Sequence, residues 1–75
     1  MEGEVMKLRL KELREARFMT QRELAARAGV GLVTIVRLEK DRQEPTFQTI
    51  KRLAAALEVD PNDLVIRELS ENRTA

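Results

Sequence analysis

Apolar residues recur at helical spacing along most of this chain, and they predict five helices. These helices are expected over about residues 5–17, 21–28, 32–39 and 47–57, with a fifth helix beginning at Pro61. In the first helix, Met6, Leu10 and Leu13 recur at i, i+4 and i+7 as a buried stripe. In the fourth helix, the inner stripe consists of Phe47, Ile50, Leu53, Ala54 and Leu57. The pattern therefore predicts an all-α fold, a compact five-helix bundle.

Residues at the expected helix ends support these boundaries. Thr20 followed by Glu23 predicts a capping box, in which a hydroxyl and a carboxylate satisfy free backbone N–H groups at a helix start. Gly29 stands where a helix should stop, because glycine adopts a positive φ without strain. Gly31 is placed to cap the next helix. The two later helices are expected to begin after N-caps at Thr46 and Asp60.

Residues 20–39 form the most informative segment, two short amphipathic helices joined by a turn that contains glycine. This is the layout of a helix-turn-helix, whose second helix enters the major groove of DNA. A short turn and tight packing are needed to hold that second helix outward at a fixed angle. A helical hairpin within any small bundle would fit the same local pattern, so these residues alone leave both interpretations open.

The length and composition of the chain narrow the function classes. Its 75 residues predict a single domain, with a core over about residues 5–69 and a frayed tail at residues 70–75. There is no cysteine and no histidine, which removes disulfides, cysteine nucleophiles and the commonest general base and metal ligand. We therefore expect no enzyme and no cofactor, metal or small-molecule site. No apolar run approaches the ~20 residues of a membrane span and no signal peptide is evident, so a cytoplasmic protein is expected.

Charge is distributed unevenly along the chain. The formal net charge is +1, but residues 1–52 carry +4 and residues 53–75 carry −3. A nucleic-acid-binding face opposite an acidic or partner-binding end would give this asymmetry. A solvated mixed-charge surface, of the kind that heat-stable proteins have, is the alternative explanation.

Spacing over a longer range adds a family resemblance that covers about residues 5–66. The chain resembles the phage-repressor, Cro-like (Xre) helix-turn-helix family in Leu10-Lys11-Glu12-Leu13-Arg14, Thr20-Gln21, Glu23-Leu24-Ala25, Gly29-Val30, Leu38-Glu39, Pro45-Thr46 and Leu53-Ala54-Ala55-Ala56-Leu57. This resemblance implies a lambda-repressor-like DNA-binding domain. It also implies a transcriptional regulator, expected to be a repressor, that binds double-stranded DNA as a homodimer on a palindromic operator.

The resemblance and the placement of polar residues together suggest contacts with the DNA backbone. In this family the glutamine that opens the second helix hydrogen-bonds a phosphate, and here that residue is Gln21. Cationic side chains beside the third helix and the capped start of the fourth helix supply the other candidates. These further phosphate candidates are Arg22, Lys40, Arg42, Thr46 and Gln48. Each of them alone would also fit an ordinary solvent-exposed surface.

The third helix departs from the family pattern at the positions that should contact bases. These positions are Leu32, Val33, Thr34, Val36 and Arg37, of which three are purely aliphatic. Aliphatic side chains can pack on thymine methyl groups but cannot distinguish donors from acceptors, which leaves Arg37 as the strong candidate for guanine recognition. Two interpretations stay open. The target is an A·T-rich site recognised through methyl contacts and DNA shape, or the surface binds protein, as in a coactivator-like or antitoxin-like adaptor.

Two further expectations concern the framework around these residues. Matching residues in the family form a salt bridge between the first helix and the end of the third, so Arg14 and Glu39 are expected to pair. Phe18, Asp41 and Glu58 stand where family members commonly have glycine after a helix end. Aspartate tolerates the left-handed region, but a Phe or Glu at positive φ would cost ~1 kcal/mol, so the helix ends at Phe18 and Glu58 are expected to close differently.

The end of the chain suggests how two copies assemble. A single short recognition helix cannot supply the ~4 to 10 kcal/mol that separates specific from non-specific binding. Beyond the core residue Leu64, an apolar group formed by Val65, Ile66 and Leu69 would be left in water by a monomer. These three residues are therefore the predicted homodimer interface. The alternative is that they extend the core from a longer final helix.

Overall fold

The computed structural model describes residues 4–69, with side chains described over residues 7–66. Its elements in chain order are β1 (Glu4–Leu8), α1 (Leu10–Ala16), α2 (Gln21–Ala28), α3 (Leu32–Glu39), α4 (Phe47–Leu57), α5 (Pro61–Leu64) and β2 (Val65–Leu69). Five helices enclose one core, which confirms the predicted all-α fold class, and the small sheet is an addition to it. The predicted frayed tail at residues 70–75 lies outside the described residues.

A two-stranded antiparallel sheet joins the two ends of the helical domain. β1 pairs with β2 in a register that places Lys7 opposite Ile66 and Leu8 opposite Val65. The predicted first helix over residues 5–17 is therefore wrong in its first part, because residues 4–8 are extended and pair with a strand about sixty residues away. A longer final helix is also excluded, since α5 has four residues and Val65 has extended dihedral angles.

The core is built from aliphatic side chains that tie all five helices together. Its fully buried members are Leu10, Leu24, Ile35, Leu53, Leu57 and Leu64, and each helix supplies at least one of them. The predicted placement of Phe47 in the inner stripe of α4 is wrong, because its side chain is 74% exposed. The physical reason is its position, since the first two residues of α4 are solvent-exposed together with the N-cap before them.

The helix ends on either side of the α2–α3 turn form as predicted. The Thr20 hydroxyl accepts the backbone N–H of Glu23 over 3.0 Å, and the Glu23 carboxylate accepts the backbone N–H of Thr20 over 2.8 Å. Gly29 ends α2 at a φ of 68°, in the left-handed region. Gly31 caps α3 without a side-chain hydrogen bond. These local features set the length of the turn and therefore the angle between the two helices.

Three other helix ends close on non-glycine residues in the left-handed conformation. Phe18, Asp41 and Glu58 have φ values of 55°, 56° and 58°. The expectation that the ends at Phe18 and Glu58 close differently is therefore wrong. The reason is the hydrogen bonding that this conformation allows, for at the end of α4 the N–H groups of Glu58 and Val59 donate to the carbonyls of Ala55 and Ala54, over 3.1 and 3.0 Å.

The left-handed conformation of Glu58 predicts a stabilising substitution. Glu58→Gly should raise the free energy of unfolding by roughly 0.5 to 1 kcal/mol, because relief of the Cβ clash exceeds the entropy that glycine adds to the unfolded chain. Urea denaturation followed by circular dichroism measures the change. Ala55→Gly, at an exposed helical position of α4, should instead lower it by about 1 kcal/mol. A loss of stability for both variants would contradict the strain at Glu58.

Candidate nucleic-acid interface

The helix pair α2 and α3 is fixed from two sides. Leu24, Ala25 and Ala28 form the buried face of α2, and the two alanines allow neighbouring helices to approach closely. On the far side of the turn, Arg52 of α4 donates from Nη1 to the carbonyl of Gly29 over 3.3 Å. No sequence signal indicated this contact, since Arg52 looks like an ordinary surface residue. The turn is thus held by a side chain as well as by its own glycine.

The Arg14–Glu39 ion pair connects α1 to the end of α3. Arg14 Nε donates to Glu39 Oε2 over 2.7 Å, and Nη2 donates to Oε1 over 3.1 Å. The two side chains are only 11% and 4% exposed. The third guanidinium nitrogen, Nη1, donates to the carbonyl of Met19 over 2.8 Å, just before α2 begins. One arginine therefore fixes the starting point of α2 and the last turn of α3.

This geometry also raises the pKa of the Arg14 guanidinium above its ordinary value. The largest cause is the hydrogen bond with Glu39, and the nearby charges of Glu39 and Glu15 act in the same direction, whereas burial acts against them. A group whose pKa is raised by folding stabilises the protein below its ordinary pKa and loses that effect only at higher pH. For an arginine this loss occurs only in strong alkali, so the guanidinium stays charged at any pH used for DNA binding.

Gln21, the predicted phosphate contact, is attached to the same network. Its Nε2 donates to Glu39 Oε1 over 3.0 Å. Because a carboxylate can only accept hydrogen bonds, the amide nitrogen must face Glu39, which fixes the orientation of the side chain. One N–H of the amide remains for another acceptor. The sequence did not indicate that Gln21 and Glu39 are in contact.

The five predicted base-contacting residues are not equally available on α3. Val33 is 60% exposed and Arg37 is exposed, whereas Thr34 and Val36 are half-buried. Leu32 packs against the core. Its contribution to a base contact would therefore be smaller than its position in the sequence suggests. The outermost surface of the helix is formed by one aliphatic side chain and one guanidinium.

The remaining phosphate candidates lie at three exposed helix ends. Arg22 follows Gln21 in the first turn of α2, and Lys40 and Arg42 follow α3. Among the described residues, neither these three cations nor Arg37 has an ion-pair partner, so all four can meet an anion.

At the start of α4, the Thr46 hydroxyl accepts a hydrogen bond from the backbone N–H of Thr49 over 3.1 Å. The same hydroxyl donates a hydrogen bond to the Thr49 hydroxyl over 3.0 Å. The hydroxyl therefore acts as the helix cap. Gln48 lies exposed beside it, in the first turn of α4.

The predicted dimer residues take a different form from the one expected. Val65 and Ile66 are half-buried in β2, and Val65 packs against the core beside Leu8. Successive residues of a strand point to opposite faces, so these two do not form one continuous apolar patch. The side chain of Leu69 lies outside the described ones. The interface itself stays a prediction.

The described part of the chain also bears on membrane and metal binding. None of its helices has the length and apolar character that crossing a membrane requires. Within the same residues, no three acidic, cysteine or histidine side chains come together to hold a metal ion.

Comparison with protein families identifies the whole helical domain. Residues 10–64 match the family model described as Helix-turn-helix. A protein of Archaeoglobus fulgidus, named an uncharacterised HTH-type transcriptional regulator, is 39% identical over 71 residues. The match covers 91% of this chain and all of the relative. A similarly named protein of Methanothermobacter thermautotrophicus is 42% identical over 52 residues, covering 69% of this chain and 75% of the relative.

Solved structures with the same arrangement include a controller protein and a repressor domain. The restriction-modification controller protein C.AhdI from Aeromonas hydrophila superimposes with a TM-score of 0.72 at 31% identity, over 73% of this chain and 83% of its own. The DNA-binding domain of the P22 C2 repressor superimposes with a TM-score of 0.69 at 28% identity, over 72% of this chain and 71% of its own.

Proposed function

Because the chain belongs to the helix-turn-helix family of DNA-binding transcriptional regulators, of the Xre and Cro-like type, we propose that it represses transcription as a homodimer on a palindromic operator. The observation that carries the proposal is the network of Arg14, Glu39 and Gln21. It fixes the Gln21 amide, the proposed phosphate contact, at the start of α2 relative to the end of α3. Such rigidity lowers the entropic cost of binding a duplex of fixed groove geometry.

In the proposed complex, contacts to the phosphates position α3 in the major groove. The free N–H of the Gln21 amide and the start of α2 bind one phosphate, since a helix start carries partial positive charge. Arg22, Lys40 and Arg42 bind others as unpaired cations, and Thr46 and Gln48 bind at the start of α4. Repression follows if the operator overlaps a promoter, because a bound dimer then excludes the polymerase.

Base recognition in this proposal rests on the two outermost residues of α3. Arg37 forms bidentate hydrogen bonds with a guanine, and Val33 packs on a thymine methyl group. Thr34 and Val36 make further contacts at the edge of the groove, while Leu32 mainly holds the helix in place. The preferred half-site therefore combines one G·C pair with neighbouring A·T pairs.

Selection of bound sequences from a random duplex pool tests this function directly. We expect enrichment of a palindrome whose half-sites are centred about 10 base pairs apart, one turn of the DNA helix. The exposed Val33 supports a second candidate, a protein-binding adaptor, because an aliphatic side chain in water is also typical of protein interfaces. Absence of any enriched sequence, with no duplex binding at low salt, would favour the adaptor.

Arg37→Ala and Arg42→Ala should separate base recognition from phosphate binding. Arg37→Ala should reduce the preference at one base-pair position by about 1 to 3 kcal/mol, whereas Arg42→Ala should weaken binding to all duplexes alike. Competition assays with the selected operator and its single-base variants measure both effects. Equal losses on all sequences for Arg37→Ala would show that Arg37 contacts only phosphate.

A further inference from the structure

The small sheet has two outer edges that no further strand within the described residues covers. Within residues 4–69, the sheet consists of β1 and β2 alone. A two-stranded sheet is marginally stable in water, and unpaired N–H and C=O groups along an edge are a template for pairing with another chain.

The hydrogen-bond pattern determines which backbone groups point outward. The N–H of Arg9 donates to the carbonyl of Leu64 over 2.9 Å, and this bond extends the β1–β2 register by one pair. Hydrogen-bonded pairs alternate along an antiparallel ladder, so Lys7 with Ile66 is the next such pair. The residues between these pairs have their backbone groups directed outward. They are Glu4, Met6 and Leu8 on the β1 edge, and Val65, Arg67 and Leu69 on the β2 edge.

Charge distinguishes the two edges. When two copies of a five-residue strand pair antiparallel over their full length, the two-fold axis passes through the central residue, which then lies opposite its own copy. On β2 the central residue is Arg67, and like charges directly opposite each other destabilise a pair. On β1 it is the uncharged Met6, with Glu4 opposite Leu8 and Val5 opposite Lys7 of the second copy. The β2 edge therefore opposes self-pairing, and the β1 edge permits it.

Resting on the proposed function, which requires two copies on a palindrome, we propose that the homodimer forms through the outer edge of β1. The product is a four-stranded antiparallel sheet in the order β2–β1–β1–β2. Its two-fold axis is perpendicular to the sheet, so both helical domains lie on the same face of the sheet. Both recognition helices can then approach one face of a duplex. Val65 and Ile66 support this interface from the neighbouring strand, rather than forming it by direct contact.

Two proline variants test the edge with a matched control. Met6→Pro and Arg67→Pro each place proline where the N–H faces away from the paired strand, a position that an edge strand tolerates. Sedimentation velocity at tens of micromolar should show a dimer for the wild type and for Arg67→Pro, and a monomer for Met6→Pro. Circular dichroism melting shows whether each variant is folded. A dimeric Met6→Pro, or dissociation by Arg67→Pro alone, would overturn the proposal.

A charge-swap pair tests the two-fold position without a change in backbone chemistry. Met6→Lys and Met6→Glu should each weaken dimerisation by about 100-fold, because like charges then face each other at the axis. An equimolar mixture should recover dimers, since Lys and Glu now lie opposite each other. Absence of mixed dimers would contradict this register. A dimeric wild type that binds no duplex would refute the proposed function and leave the interface in place, whereas a Met6→Pro variant that still binds operator as a dimer would refute the interface alone.

Discussion

Arg14→Ala should leave a large fraction of the protein unfolded at 25 °C. The substitution removes three hydrogen bonds and leaves the carboxylate of Glu39, only 4% exposed, without its cation. Loss of one partner of a buried pair costs about 3 to 5 kcal/mol. A single-domain core of this size supplies only about 3 to 5 kcal/mol of net stability. Far-UV circular dichroism and urea titration measure the loss.

Two comparison variants separate the buried pair from ordinary loss of charge. Arg17→Ala removes an exposed arginine whose side chain makes one long contact, 3.5 Å from Nη1 to the carbonyl of Leu13. Its effect should stay within about 0.5 kcal/mol. Replacing both Arg14 and Glu39 by leucine should recover most of the stability, because no buried charge remains. Even so, this double variant should bind DNA more weakly than the wild type, since Gln21 loses the acceptor that orients it. A stable Arg14→Ala variant would show that the ion pair is not needed for folding.

Binding to operator DNA should weaken by about 1,000-fold between 50 and 200 mM salt. Each phosphate neutralised by the protein contributes about −0.9 to the slope of log affinity against log salt, and a dimer with six or more such contacts gives this loss. Arg22, Lys40 and Arg42 supply three unpaired cations per copy. Fluorescence anisotropy with a labelled duplex over a salt series measures the slope.

The slope should respond to cations on the DNA side of the domain and to no others. Arg42→Ala should make the slope shallower by about one contact per copy. Arg27 lies exposed in the last turn of α2, at the opposite end of that helix from Gln21, and Arg27→Ala should leave the slope unchanged. An equal change for both variants would indicate non-specific attraction rather than defined contacts.

Local signals in the sequence predicted the helical part of the fold well. The capping box at Thr20, the glycine after α2 and the proline at the start of α5 each act within a few residues, so their effects are visible in the sequence. The sheet was missed because its energy comes from pairing between chain ends. Residues 5–13 satisfy the helical period, and only the distant partner strand shows that the first of them are extended.

The candidate site was predictable as a set of residues but not as a network. Family resemblance indicated the Arg14–Glu39 ion pair and, separately, Gln21 as a phosphate contact. In the structure, Arg14 and Gln21 both donate to the carboxylate of Glu39, because α1 and the start of α2 both pack against the last turn of α3. Such a contact depends on side-chain geometry across three helices, which periodicity does not contain.

The recognition helix divides its surface between two tasks. Ile35, Leu38 and Glu39 lie on one side and hold the helix to the domain, whereas Val33 and Arg37 lie on the opposite side. Under the proposed function, substitutions at the two outer positions should therefore alter what is bound with little effect on folding. A new target sequence could be acquired by changing two codons. The same scaffold could then carry a panel of regulators that differ only at those positions and act side by side in one cell.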